Sequence, residues 1–255
     1  MLWYKAWLET RWRFFIGLAL LILSAGSVVF TYPKVMKLLA LVPSMDVGGE
    51  IGRRIREGAE LARTYRGYAW SQWFNQQLSN TWTLFAVLIG SGGLFAHSSG
   101  SAALFTLSLP ASRTRVLMTR IATGLAELLV LAIVPSLVLP LLSPAVGETF
   151  WLGDALVFSA CTFIGGAVFF SLAVLLSTIF PDVWRPLLLA IFVAIAVSLC
   201  EQVLRDAAPF GIFHAMSGES YFRGQGLPWA SLFVSAVASA AMLYGAASNN
   251  ARRDF

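Results

Sequence analysis

The run ALVFSACTFIGGAVFFSLAVLLSTIF, residues 155–180, decides the fold class, because no charge occurs between Asp154 and Asp182. At a rise of about 1.5 Å per residue, a helix of this length exceeds the roughly 20 residues needed to cross a hydrocarbon core of about 30 Å. In lipid every backbone donor and acceptor has to be satisfied internally, so an isolated apolar run of this length reads as an α-helix. Working outward, five more predominantly apolar runs occur at 14–30, 78–96, 121–142, 187–204 and 227–247. The chain is 58% hydrophobic and 12% charged, whereas a soluble domain carries about 25% charge. The expectation is an all-α, polytopic membrane protein with about six transmembrane helices. No soluble domain of any size is left among its 255 residues.

Details of the runs refine this layout. Lys5, Arg11 and Arg13 precede the first, and a signal peptide is the competing reading, since Ser24-Ala25-Gly26 loosely fits a cleavage pattern. Trp3, Tyr4, Trp7, Leu8 and Trp12 with interspersed charges instead predict an amphipathic helix over 1–13, lying at headgroup level. The second run is glycine-rich at Gly90, Gly92 and Gly93, which leaves its inner end open. Pro135 and Pro140 predict a bend or early end in the third. All nine tryptophans fall at or just outside the ends of the runs, as expected of an interfacial aromatic belt.

With an internal N-terminus, the basic residues divide evenly between the two sides, but seven of those outside lie in one long loop, 31–77. Long loops weigh less in setting topology, so the short loops place both termini in the cytoplasm. The net charge of +5 is therefore a matter of topology, and no basic cluster on a soluble module points to nucleic acid. Within the long loop, Ile51, Ile55, Ala59 and Ala62 recur at helical spacing, predicting one or two amphipathic helices. These are either a lid for an amphiphilic substrate or interfacial helices packed on the spans.

The inner loop over 97–120 is more informative. It is uncharged and rich in small residues up to Thr106, then reads Leu107-Ser108-Leu109-Pro110-Ala111-Ser112-Arg113-Thr114-Arg115. Pro110 suits a helix start, and Ser112 can cap a helix running through Arg120 into the third span. A short apolar segment held at the surface and followed by a capped basic turn has the form of a docking element. An ordinary loop whose arginines obey the inside bias is the alternative.

Ser108-Leu109-Pro110-x-Ser112-Arg113, between spans two and three of a six-span chain with an aromatic amphipathic start, resembles the type-2 permeases of ATP-binding cassette (ABC) exporters. The resemblance implies that this loop is the coupling helix seated in a cleft of a cytosolic ABC ATPase, with Leu107, Ser108, Leu109, Pro110, Ser112, Arg113 and Arg115 as docking residues. It also implies a second permease subunit, as a homodimer, in a bacterial-type plasma (inner) membrane. The chain departs from many relatives just after the second span, where they carry acidic residues and it has His97-Ser98-Ser99-Gly100. No G-x-x-x-x-G-K-[ST] phosphate loop occurs, so ATP and Mg would sit on the partner, with no cofactor and no enzymatic activity in this chain.

Glu127 lies about two turns into the third span, where an ionisable side chain is costly unless paired or facing water. Arg120, seven residues earlier, shares its helical face. A packing hydrogen bond to another span and a substrate or ion role are both open. Glu201 and Arg205 have the spacing of an i,i+4 pair. His97 and His214 fall on opposite sides, and Cys161 and Cys200 lie in apolar runs, which predicts neither a metal site nor a disulfide framework. The Ser231, Ser235 and Ser239 stripe and Gly165-Gly166 predict close helix packing. Two other function classes remain: an ion-coupled secondary transporter using Glu127, and an integral-membrane enzyme, for which neither HExxH nor G-x-S-x-G is present. The apolar spans point to a hydrophobic or amphiphilic cargo.

Overall fold

A computed structural model of the protein describes residues 2–39, 58, 60–92, 113–180, 182, 184–203 and 211–252. Regular structure among them is entirely helical: α1 (Leu2–Leu39), α2 (Tyr65–Ala69), a π-helix (Trp70–Leu78), α3 (Ser79–Ser91), α4 (Arg113–Leu142), a 3-10 turn (Ser143–Val146), α5 (Leu152–Ile179), α6 (Trp184–Val203), α7 (Ile212–Ser217), α8 (Glu219–Phe222) and α9 (Trp229–Arg252). Five helices, α1, α4, α5, α6 and α9, are long and apolar enough to cross a membrane.

Three expectations change in detail. The interfacial helix over 1–13 and the span over 14–30 are one continuous helix of 38 residues, about 57 Å long. No proline interrupts it before Pro33, and the exposed Trp3, Tyr4 and Trp12 decorate its first turns without breaking it. Most of the amphipathic stretch over 51–63 lies outside the described residues, but Gly58, Glu60, Leu61 and Ala62 within it are helical, and helix follows again from Tyr65. The proline-bearing span does not end early either, since α4 runs through Pro135 and Pro140 to Leu142 and stops only at Gly147, whose φ of 77° few other residues adopt.

The second predicted span is the least regular. α3 has 13 residues, about 20 Å, and alone is too short to cross. Its backbone, however, continues unbroken from α2 through the π-helix, with Ala69, Trp70, Leu78 and Ser79 all right-handed helical. The wide turn is locked by Ser79 Oγ donating to the Phe74 carbonyl five residues back, at 2.7 Å. This turn brings Trp73, Phe74, Leu78 and Trp82 into the core, all fully buried. Of the tryptophans expected in an aromatic belt, Trp3, Trp12, Trp151, Trp184 and Trp229 are exposed, whereas Trp70, Trp73 and Trp82 are buried against other helices.

Helix α5 is the hub. In its apolar window 61% of residues are buried, against 17% for α6, and it packs on α3, α4, α6, α7 and α9. The packing depends on small residues, because between lipid-exposed helices there is no hydrophobic driving force and contacts must come from close approach. A Cβ at Gly166 would lie 2.2 Å from the Trp82 ring, and one at Gly165 would lie 2.9 Å from Met216. Trp82 also crosses to α4, where Nε1 donates to the Leu128 carbonyl at 3.0 Å. Ser231, Ser235 and Ser239 form the buried edge of α9, and Asn249 Nδ2 donates to the Thr178 carbonyl at the other end of the α5 contact. The outer faces of α6 and α9, including Phe192, Leu199 and Phe233, are exposed and apolar, as expected where lipid is the solvent.

Replacing a mid-helix glycine by alanine ordinarily favours the helix by about 0.5–1 kcal/mol. At Gly166 the sign reverses, because the methyl group overlaps Trp82. Gly166→Ala is expected to destabilise by about 1–3 kcal/mol, read as a lower thermal midpoint of the detergent-solubilised protein. Gly245→Ala, with its nearest neighbour 3.6 Å away, is the control expected to leave the midpoint unchanged or raised.

Candidate functional site

The docking residues Leu107, Ser108, Leu109, Pro110 and Ser112 lie outside the described residues, as does His97. Arg113 opens α4 and Arg115 is exposed on its first turn.

Behind this turn, two more arginines converge on the end of α3. Arg13 Nη1 donates to the Leu88 carbonyl at 2.7 Å. A Cβ at Gly92 would meet Arg13 Nη1 at 2.6 Å and Arg120 Nη2 at 2.9 Å, so both guanidiniums lie close against the end of α3. Cations are favourable here, since they face the last carbonyls of a helix. The Arg13 hydrogen bond joins α1 to α3 at this end of the bundle.

Glu127 is 3% exposed. Its Oε1 is hydrogen-bonded to Thr10 Oγ1 of α1, while its Oε2 is buried with no hydrogen-bond partner among the described residues. The feasible pair with Arg120 does not form, and Arg120 turns toward Gly92. Of the two readings of Glu127, the geometry supplies the packing bond to another span. A cavity of about 10 Å³ lined by Thr10, Gly90, Arg120 and Phe170 lies nearby, too small for more than a single water.

The opposite end of the bundle holds a polar cluster that sequence reasoning did not find. Asp154, buried on the first turn of α5, accepts from Arg66 Nε at 2.7 Å and from the Tyr221 hydroxyl at 2.9 Å. Burial raises the Tyr221 phenol above its ordinary range, and the bond to Asp154 acts in the same direction, so it stays a donor. The Arg66 guanidinium lies 5.6 Å over the Phe222 ring, and Phe222 stacks on Trp70 with centroids 4.3 Å apart. Trp70 Nε1 in turn donates to the Ser217 carbonyl at 2.8 Å.

These contacts hold α7 and α8 along α5. Phe213 packs on Phe169, Met216 on Gly165 and Gly166, and Tyr221 reaches Asp154. Phe169 is about 26 Å along α5 from Leu152, so the segment begins well inside the bundle and climbs to its outer end. Its first amides are held by Glu201, which accepts from Ile212 N at 2.6 Å, Phe213 N at 3.0 Å and His214 N at 3.2 Å. Glu201 thus caps a different helix, and Arg205, its expected partner, lies outside the described residues. His214 contacts Glu219 at 3.1 Å and Ser220 at 3.2 Å, and Glu219 also pairs with Arg223. The signal available in the sequence was the apolar set Ile212, Phe213 and Met216 after Gly211, too short to be distinguished from a loop.

Among the described residues no three His, Cys, Asp or Glu side chains lie together, Cys161 and Cys200 are both free thiols, and Asp182 pairs with Arg185 at 3.2 Å on the surface. Comparisons with known protein families, with curated proteins and with solved structures find no match in any of the three.

Removing the Glu201 carboxylate strands three buried-end amides, at about 1–3 kcal/mol for groups left unsatisfied. Glu201→Ala is expected to speed hydrogen exchange at Ile212, Phe213 and His214 at least tenfold, and Glu201→Gln, which keeps one acceptor, to do so less. Unchanged exchange in Glu201→Ala would show that the cap holds nothing.

Proposed function

We propose that this chain is the membrane-spanning permease subunit of an ABC exporter, working with a separate cytosolic ATPase that carries ATP and Mg. The observation that carries the reading is the sequence Ser108-Leu109-Pro110-x-Ser112-Arg113 directly before the long apolar helix α4, which resembles the coupling loop of type-2 ABC permeases. The continuous helical backbone from Tyr65 to Ser91 serves as the second of six spans, with both termini cytoplasmic in a bacterial-type inner membrane.

The mechanism is mechanical. Nucleotide binding closes the ATPase pair, the docked loop moves with it, and α4 transmits the shift to α1 and α3 through Arg13, Arg120 and the Glu127–Thr10 bond. Nucleotide must bind the two states unequally for this to do work. The passage forms between two copies of the chain, as a homodimer, which is what the resemblance to these permeases implies. Cargo of hydrophobic or amphiphilic character fits the apolar spans.

A second reading rests on the unpartnered Oε2 of Glu127, an intramembrane acid that suits a proton- or sodium-coupled transporter. The two separate experimentally. Co-expressed with a candidate ABC ATPase subunit from the same genome, the chain is expected to retain that subunit on purification, and the double change L109A/R113E to lower the retained ATPase at least tenfold. Retention of the ATPase at the parental level in the double variant would overturn the docking assignment. Transport that persists without any ATPase and is abolished by Glu127→Gln would establish the ion-coupled reading in its place.

A further inference from the structure

The helix that continues α3 outward carries a face with no place in lipid. Gln72, Asn75, Gln76 and Asn80 are exposed, and their carboxamides make no hydrogen bond to the described residues. The π-turn gathers Ser71, Asn75 and Gln76 onto one side, because its i, i+4 and i+5 positions nearly align. Alongside runs α1, with Ser27 and Thr31 exposed on the face that also holds Ser24.

The depth of this face follows from α1. Ser24 lies midway between Arg13 and Lys34, about 15 Å from each along the helix, which places it near the bilayer midplane. Ser24 is hydrogen-bonded to Gln77, so Gln77 shares that level. Asn80 is then about 5 Å inward of the midplane and Gln72 about 8 Å outward, with Thr31 about 10 Å outward. All fall within the hydrocarbon thickness, where an amide facing lipid has no hydrogen-bonding partner. Between the two helices opens a groove of about 440 Å³, within the 300–1,000 Å³ range of small-molecule sites, walled by Thr31, Ser71, Gln72, Asn75 and Gln76 and reaching Val35, Gly58 and Ala62 at its mouth, with no charged side chain among the described residues that line it.

We infer that this groove between α1 and the π-helix is a water-accessible wall at membrane depth that takes an uncharged polyhydroxyl group, either a free saccharide or the head of an amphiphile. Each carboxamide offers a donor and an acceptor side by side, matching hydroxyls that both give and receive. The described lining residues are all uncharged, which favours a neutral polar group over an ion that would lose hydration without a counter-charge. The concave shape fits a solute better than a second helix laid flat. The inference rests on the membrane-transport reading and is independent of the ATPase.

The test uses the full chain in membrane vesicles, in a C161A/C200S background, with single cysteines introduced by Asn75→Cys and Gln76→Cys and, as lipid-facing controls, Leu23→Cys and Leu84→Cys. With a charged, membrane-impermeant methanethiosulfonate, the groove positions are expected to react at least tenfold faster than the controls. Equal rates would overturn the proposal, as would disulfide-linked dimers through Asn75→Cys without labelling, which would put a second copy of the chain in the groove. Maltotriose, or octyl glucoside below its micelle concentration, is expected to slow labelling several-fold. The effective one identifies a free or a lipid-anchored source, and protection by neither would overturn the ligand class. Fast labelling in a chain that retains no ATPase would sink the exporter reading while leaving the groove in place.

Discussion

Hydrogen-bond satisfaction in hydrocarbon is the constraint on which the rest of this structure depends. It forces each apolar run into a helix, and it removes the usual reason for helices to associate, since lipid is as apolar as any side chain. What remains is close contact and local polar bonds. The Gly165-Gly166 pair on α5 supplies the first, letting Trp82 and Met216 approach the backbone of the central helix. Trp82 then ties α3 to α4 by its indole N–H, so one large side chain holds three helices at once.

The same constraint sorts the charged and polar groups into places where each has work to do. At one end of the bundle Arg13 donates to the Leu88 carbonyl near the close of α3, with Arg120 beside Gly92, and at the other end Asp154 receives Arg66 and Tyr221. Both clusters join segments distant in the chain, so each makes one end of the bundle behave as a unit. Glu201 does the same locally, holding a short helix at a depth it could not keep alone, since six residues do not make a stable helix without outside contacts. Against this background the exposed carboxamides beside the π-turn stand out as polar groups with no hydrogen bond to the described residues.

Much of the architecture was legible in the runs themselves. The uncharged stretch over 155–180 became the hub, and the glycine pair and the serine stripe on the last helix became packing surfaces. Where sequence reading went astray, a long-range partner was the reason. Trp82 looked like a belt residue because tryptophan prefers interfaces, yet a glycine 84 positions away made an interior slot for it. Glu201 had the spacing of a pair with Arg205, which lies outside the described residues, and nothing in that spacing announced that its carboxylate also receives the first amides of α7.

The sequence by itself determined that this is an all-helical membrane chain, because hydropathy over some 20 residues is a local sum that no later contact can undo. It also marked the places where charge concentrates. Only the tertiary structure decided that α1 runs unbroken through the expected interfacial segment, that Glu127 bonds to Thr10, and that the second predicted span widens into a π-turn with an amide-lined groove at its side. These depend on which helix faces which, and that information is held in pairs of residues far apart in the chain rather than in any window of it.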